Sequence, residues 1–328
     1  MLSMAEKDNL KLDKIDRKIL FELDKNCRIP ATQLATKVKK SRQAVEYRIN
    51  NLLEKGIITS FKTSINPHKL GKKLYKIYLK LKNVPVEKVK MLSYLRKSER
   101  VYWIGECSGV WDLIFGIFAK DDFEFFELKN EFLSKFNKII VKEEGGIIVD
   151  VHQYPKMYFA GGIAKPVLFG GKVIENKLDK KDLEILSYVS GNAKANVVEI
   201  AEKTKTTPSI VMTRLKKLEK LGIIIQYRLE VNTNKLNLEN YKILVKLERY
   251  NKEDEKNFLK FVSNKTNVQY LIRNIWQLEL EIVVKNSQEY YEFVESLKQE
   301  FPEVIQTIDS VLMIRDEWTT GFENMLKG

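Results

Sequence analysis

A chain of 328 residues, 44% of them hydrophobic, has apolar material for two to four packed domains, and its net charge of +13 favours a polyanionic partner, nucleic acid ahead of an anionic membrane. Two cysteines, Cys27 and Cys107, without a CxxC exclude a disulfide framework, and two histidines, His68 and His152, are too few for a histidine-based zinc site, so no metal or other cofactor is expected. The opening MLSMAEKDNLKLDK lacks the apolar core of a signal peptide, and apolar runs such as 113–119 are too short to span a bilayer, so a cytoplasmic protein without a membrane partner is expected.

The first elements read as three short helices. Asp13 is a good N-cap, Asp16 adds negative charge to the first turn, and Ile15, Ile19, Leu20 and Leu23 follow at helical spacing, to about Asn26. Pro30 suits the start of a second helix with Leu34, Ala35 and Val38 on its apolar face. After the turn Lys39-Lys40-Ser41, Ser41 caps a third helix, Arg42–Glu54, with a stripe of Val45, Ile49 and Leu52; Gly56 stops it. Residues 57–65 then read as a wing, either a strand pair or a single strand. Residues 10–67 therefore predict a winged helix-turn-helix, whose third helix would enter a DNA major groove. Arg42, Gln43, Glu46 and Tyr47 would face the bases, with Ser41 at the helix start and Lys39 and Lys40 near phosphates. The competing reading is a polar helix face on a protein-interaction module.

From residue 72 to 156 the pattern changes to βαββαβ, a ferredoxin-like α+β sandwich. Tyr75, Ile77, Leu79 and Leu81 alternate with Lys76, Tyr78, Lys80 and Lys82, which predicts a strand with one buried face. A helix over Val86–Lys97, strands over Val101–Cys107 and Leu113–Phe118, a helix over Asp121–Phe136 and a closing strand over Ile139–His152 complete it. Trp103, Trp111, Phe123, Phe125 and Phe126 are assigned to the core, Glu143–Gly146 to a bulge or turn, and both cysteines to partly buried positions. Residues 157–177, with two Gly-Gly pairs and Pro166, form a linker lying on the protein surface.

The second half of the chain repeats the first. LDKIDRKILFEL, from Leu12, recurs as LDKKDLEILSYV from Leu178, and the same displacement of 166 carries Arg48 to Arg214, Gly56 to Gly222 and Tyr75-Lys76-Ile77 to Tyr241-Lys242-Ile243. The chain is a tandem duplication, with a second winged helix-turn-helix over 178–233 and a second βαββαβ unit over 238–318. Its reading face becomes Thr207, Pro208, Ser209, Met212 and Thr213, with Lys216 and Lys217 farther along. The expected fold is α+β: two winged helix-turn-helix domains alternating with two ferredoxin-like domains.

These residues resemble the Lrp/AsnC (feast/famine) family of transcriptional regulators. The resemblance rests on Leu12-Asp13-x-x-Asp16, on Ser41-x-x-x-Val45-x-x-Arg48-Ile49-x-x-Leu52-x-x-x-Gly56-Ile57-Ile58, and on Gly105 followed by Gly109-Val110-Trp111-Asp112, similar to the family's G-x-x-D turn. It implies double-stranded DNA as partner, self-association through the ferredoxin-like domains, and an amino-acid effector near Gly105, Gly109 and Asp112. It also implies a fused dimer with non-identical halves and no catalytic residues. In the second copy no glycine remains at this turn, and Gln277 stands where Asp112 stood. Two alternatives share the layout. One is a sirohaem decarboxylase-like enzyme, for which His68, His152 and the arginines would be the acid groups. The other is a sensor or assembly protein that does not bind DNA.

Overall fold

The computed structural model describes residues 12–163, 165–249, 251–275, 278–319 and residue 326. The first half runs α1 (Lys14–Lys25), α2 (Ala31–Val38), α3 (Arg42–Glu54), β1 (Ile58–Ile65), β2 (Lys73–Leu81), α4 (Pro85–Lys97), β3 (Val101–Gly109), β4 (Leu113–Ala119), α5 (Asp122–Phe136) and β5 (Ile140–Gln153). The connector contributes β6 (Val167–Gly170). The second half runs α6 (Lys180–Gly191), α7 (Val197–Lys203), α8 (Pro208–Lys220), β7 (Ile224–Val231), β8 (Glu239–Leu247), α9 (Lys252–Ser263), β9 (Val268–Asn274), β10 (Leu278–Val284), α10 (Ser287–Glu300) and β11 (Ile305–Trp318). Both copies thus adopt the expected order, and each opens on a capping box, Asp13 with Asp16 and Asp179 with Asp182.

The wings are single strands, and they pair with each other: β1 and β7 form a two-stranded antiparallel sheet. The exchange is reciprocal. Cys27 N–H donates to Tyr227 O at 2.9 Å, mirrored by Ala193 to Phe61 O at 3.2 Å; Asn66 donates to Ile223 O at 2.8 Å, mirrored by Asn232 to Ile57 O at 2.9 Å. Each wing strand also fills the other copy's core: Ile65 lies in the cluster around Ile185, Leu186 and Val211, and Leu229 in the one around Ile19, Leu20 and Val45. Burying such a side chain contributes about 1.5–3 kcal/mol, so the two helix-turn-helix units stabilise one another.

Each ferredoxin-like unit forms a four-stranded sheet, β5-β2-β4-β3 and β11-β8-β10-β9, covered outside by its own two helices. The long strands β5 and β11 start in their own sheet and finish against the other half, β5 on β9 and β11 on β3. With β5 also held by β2, eight strands close into one antiparallel ring, and β6 pairs with β5 outside it. Closure removes the free edges that would otherwise recruit other strands.

The ring changes what alternation means. On β2, Tyr75, Ile77 and Leu79 face the helices, but Lys76 and Tyr78, 5% and 1% exposed, are buried as well, because the second half covers the inner face. The expectation of a one-sided strand fails for that reason. Glu143–Gly146 is neither bulge nor turn: it pairs regularly with β2, Gly146 opposite Lys76, and the irregularity falls at Lys80 and Leu81. Trp103 and Trp111 are core, and Phe125 stacks on Tyr75 at 4.1 Å. Phe123 and Phe126, however, are 73% and 55% exposed, since α5 turns that face away from the sheet. Cys27 and Cys107 are buried free thiols, and burial pushes both pKa values up to about 12.

The connector is docked rather than loose. Asn66 clamps Gly170, accepting from its N–H at 3.0 Å and donating to its O at 3.3 Å, and His68 Nδ1 lies 2.7 Å from Gly171 O. Gly170 adopts φ +91°, and a Cβ there would sit 2.7 Å from Asp150 Cα, so only glycine lets β6 approach β5 this closely.

Candidate nucleic-acid interface

The third helix of each copy is set by its cap. Ser41 Oγ accepts from Ala44 N–H at 3.2 Å, and Thr207 Oγ1 accepts from Ile210 N–H at 3.4 Å. The preceding turns place Lys39 and Lys205, 166 residues apart, at φ +55° and +49°, a left-handed conformation costing about 1–2 kcal/mol for a residue with a Cβ. Both turns therefore keep the same sharp reversal between second and third helix.

On α3 the polar face is solvent-exposed as expected: Lys39, Lys40, Ser41, Arg42 and Gln43 are exposed, and Tyr47 is 72% exposed. Glu46 is half-buried and bonded to Arg42 at 2.8 Å. An exposed pair at this spacing is worth about 0.3–0.5 kcal/mol, so Arg42 is easily released to another acceptor. Gln43, Tyr47 and Asn50 form one row along the helix. Sequence reading left out Asn50, although its spacing from Gln43 was the signal. On α8 the equivalent row is Ser209, Thr213 and Lys216, all exposed, flanked by Met212 at 48%. Lys217 departs from its assignment. It turns back to pair with the fully buried Asp182 of α6, so its charge neutralises the protein's own carboxylate.

A matched pair of arginines holds these helices in place. Arg48 Nη1 donates to Asp13 Oδ2 and Asp16 Oδ1 at 2.7 Å each, and Arg214 Nη1 donates to Asp179 at 2.7 Å and Asp182 Oδ1 at 2.8 Å. Each ties the middle of the third helix to the cap of the first. The hydrogen bonds from Arg214 and the Asp182 backbone hold the Asp179 pKa down at about 2.

Gly105 and Gly109 lie on β3 where the first half meets β11 of the second, and Asp112 follows in the turn after β3. Gly109, at φ +140°, faces β11, and a Cβ there would stand 2.5 Å from Ser310 O; one on Gly105 would meet Met313 and Trp103 at 2.6 Å. Asp112 bonds inside its own half, accepting from Lys80 Nζ at 3.0 Å and from Leu81 N–H at 2.8 Å, while Lys80 also reaches Gly109 O at 2.9 Å. The arrangement braces the turn. Asp112→Ala is expected to cost about 1–2 kcal/mol in urea unfolding, because two donors lose their acceptor. Trp276 and Gln277, at the corresponding turn of the second copy, lie outside the described residues.

The comparisons agree with this geometry. A family model described as winged helix-turn-helix DNA-binding matches residues 12–59 and again 178–225. The chain is similar to the helix-turn-helix transcriptional regulator Ptr1 of Methanocaldococcus jannaschii, 34% identical over 111 residues, which is 34% of this chain and 74% of Ptr1. It is also similar to the regulator LrpA of Pyrococcus horikoshii, 44% identical over 66 residues, 20% of this chain and 47% of LrpA. The chain belongs to the Lrp/AsnC family of transcriptional regulators. In this Lrp/AsnC-family chain the fold of both copies together is similar to the crystal structure of the siroheme decarboxylase NirDL, with TM-score 0.62 at 13% identity over 96% of this chain and 97% of that one. At that identity the likeness is one of fold. His152 lies on β5 and His68 in the turn 67–69, both near Asp150, with His152 Nε2 at 3.7 Å from Asp150 Oδ1, and burial holds both imidazoles below the usual histidine range. No described helix is long and apolar enough to cross a membrane.

Two buried ion clusters of this family member were invisible in its sequence. Asp24, fully buried at the end of α1, accepts from Lys156 Nζ at 3.0 Å and Arg228 Nε at 3.0 Å, joining the first helix-turn-helix to the end of β5 and to the second wing. Inside the ring, Glu279 Oε2 lies 2.7 Å from Lys76 Nζ and 3.4 Å from Lys242 Nζ. Its other oxygen accepts from Tyr78 and, at 3.1 Å, from Asn274, while Lys242 also pairs with Glu281.

Proposed function

We propose that the chain acts as a ready-made pseudo-dimer on double-stranded DNA and reads two unlike half-sites in a fixed order. The observation that carries this reading is the pairing of β1 with β7, which joins both helix-turn-helix units into one body while leaving α3 and α8 exposed. Lys39, Lys40 and Lys216 suit phosphate contacts. Arg42, Gln43 and Tyr47 in the first copy and Ser209, Met212 and Thr213 in the second suit base edges, and Ser41 and Thr207 start the two helices. An Arg-Gln reader and a Ser-Met-Thr reader select different bases, so the target is not a palindrome.

Selection of bound duplexes from a random pool tests this. Two unlike half-sites in constant orientation are expected from a monomeric chain; perfect palindromes would overturn the reading. Arg42→Ala combined with Gln43→Ala should weaken binding to selected sites by roughly 1–3 kcal/mol per lost bidentate contact. Affinity of the unaltered protein should fall steeply with salt through counterion release. Amino-acid sensing is assigned to the first half, where an ammonium group would take the place of Lys80 at Asp112. Calorimetric titration with a panel of amino acids should then find at most one site per chain, lost in Asp112→Ala.

A further inference from the structure

We infer that each half of this chain is coded to pair with the other half and to reject a copy of itself. The two seams of the ring are equivalent by the internal repeat: β5 on β9, and β11 on β3, with a register shift at the same place in each. At the first residue beyond that shift, Asp150 stands opposite Arg273 in one seam and Arg315 opposite Glu106 in the other. The first half therefore presents an acid on both of its seam strands, and the second half presents an arginine on both. Pairing two first halves would set Asp150 against Glu106, and pairing two second halves would set Arg315 against Arg273. Like charges directly opposite on neighbouring strands destabilise the pair. In the chain as folded, Arg273 Nε donates to Asp150 Oδ1 at 2.7 Å while its Nη1 pairs with Glu255 of its own half, and the exposed Arg315 faces Glu106, which is paired with Lys88 of its own half at 2.9 Å.

The ring interior carries the same code independently. Lys76 and Lys242 occupy the same position in the two copies and both point inward, 5.8 and 5.4 Å from the Trp103 ring centroid. The partners come from one half only. Lys76 stands opposite Gly116 on β4, whereas Lys242 stands opposite Glu281 on β10; one pleat along, Tyr78 stands opposite Ile114, whereas Leu244 stands opposite Glu279. Two lysines thus meet two glutamates, with Asp316 of the second half beside them, its pKa pushed up by burial, Glu230 and Glu281. Two first halves would enclose two lysines with no glutamate, and two second halves would enclose two lysines with four. Either enclosed imbalance is far costlier than a surface one. Nor can the first half acquire the missing acid beside Lys76 by simple substitution, since a Cβ on Gly116 would stand 2.2 Å from the Tyr102 ring.

Two full-length tandems test the code, one carrying the first half twice and one the second half twice, joined by the native connector. Both should melt about 10 °C or more below the natural chain. Because either tandem could fail to fold, charge reversal in the natural chain supplies a second measurement. With Glu255 first neutralised as Glu255→Gln, since it is the second partner of Arg273, Asp150→Arg and Arg273→Asp should each lower Tm by about 3 °C or more, and the double reversal should recover most of the loss. A same-half tandem as stable as the natural chain, single reversals without effect, or a double reversal no better than the worse single would each overturn the inference. The readout is stability alone, so its failure is separable from failure of DNA binding.

Discussion

Replacing Glu279 with Leu should lower stability by about 3–5 kcal/mol, because it leaves Lys76 charged, buried and without a carboxylate. Burial alone raises the Glu279 pKa, but Lys76 and Lys242 outweigh it and bring it down to about 2. Lys76 shows the strain from the other side: burial depresses its pKa to about 8 despite Glu279. Replacing Lys76 with Met in the same chain should recover most of the loss, since a well-packed apolar pair of similar volume is often as stable as a buried ion pair. Chemical denaturation of the two single variants and the double variant checks this. A double variant as unstable as Glu279→Leu would show that the packing around Glu279, not its charge, is what matters. The linkage has a definite sign. A carboxylate whose folded pKa lies below its unfolded value contributes stability that is fully present above about pH 4.5 and is lost as pH falls towards 2. Glu279→Gln should therefore flatten the acid limb of the stability curve.

Asp24→Ala should be of similar size, about 3–5 kcal/mol, and should reach farther through the molecule. Asp24 accepts from Lys156 N–H at 2.8 Å as well as from its ammonium and from Arg228, so one carboxylate holds two buried cations. Burial raises its pKa, while Arg228 and Lys156 together pull it below the ordinary value. Without it, two positive charges remain enclosed where the first helix-turn-helix, the end of β5 and the second wing converge. Hydrogen exchange should show faster opening of α1 and β7 together, because the lost contact belongs to both. Exchange that rose in α1 alone would mean the two helix-turn-helix units are less interdependent than the shared wing sheet implies.

Part of this protein was written locally, and that part was legible. Caps at Asp13, Ser41 and Asp179, stops at Gly56 and Gly222, and apolar stripes such as Val45-Ile49-Leu52 act within a few residues, so they fix helices wherever the chain goes. The 166-residue repeat likewise fixed two copies of one plan, and spacing alone brought Arg42, Gln43 and Tyr47 to one exposed face. What spacing could not give was the second covering of each sheet. Alternation on β2 marks Tyr75, Ile77 and Leu79 as inward, but it cannot say whether the opposite face meets water or protein. Only the closing of one half onto the other turned Lys76 from a solvated lysine into a buried one, paired it with a glutamate 203 residues away, and made Gly109 a point of close approach for β11. The same long-range pairing sent the wings to each other, while the packing of α8 on α6 within one unit sent Lys217 to Asp182. Local sequence sets the elements because helix and strand signals act over a few residues. The inside of the ring was decided by contacts between residues that chain connectivity leaves far apart.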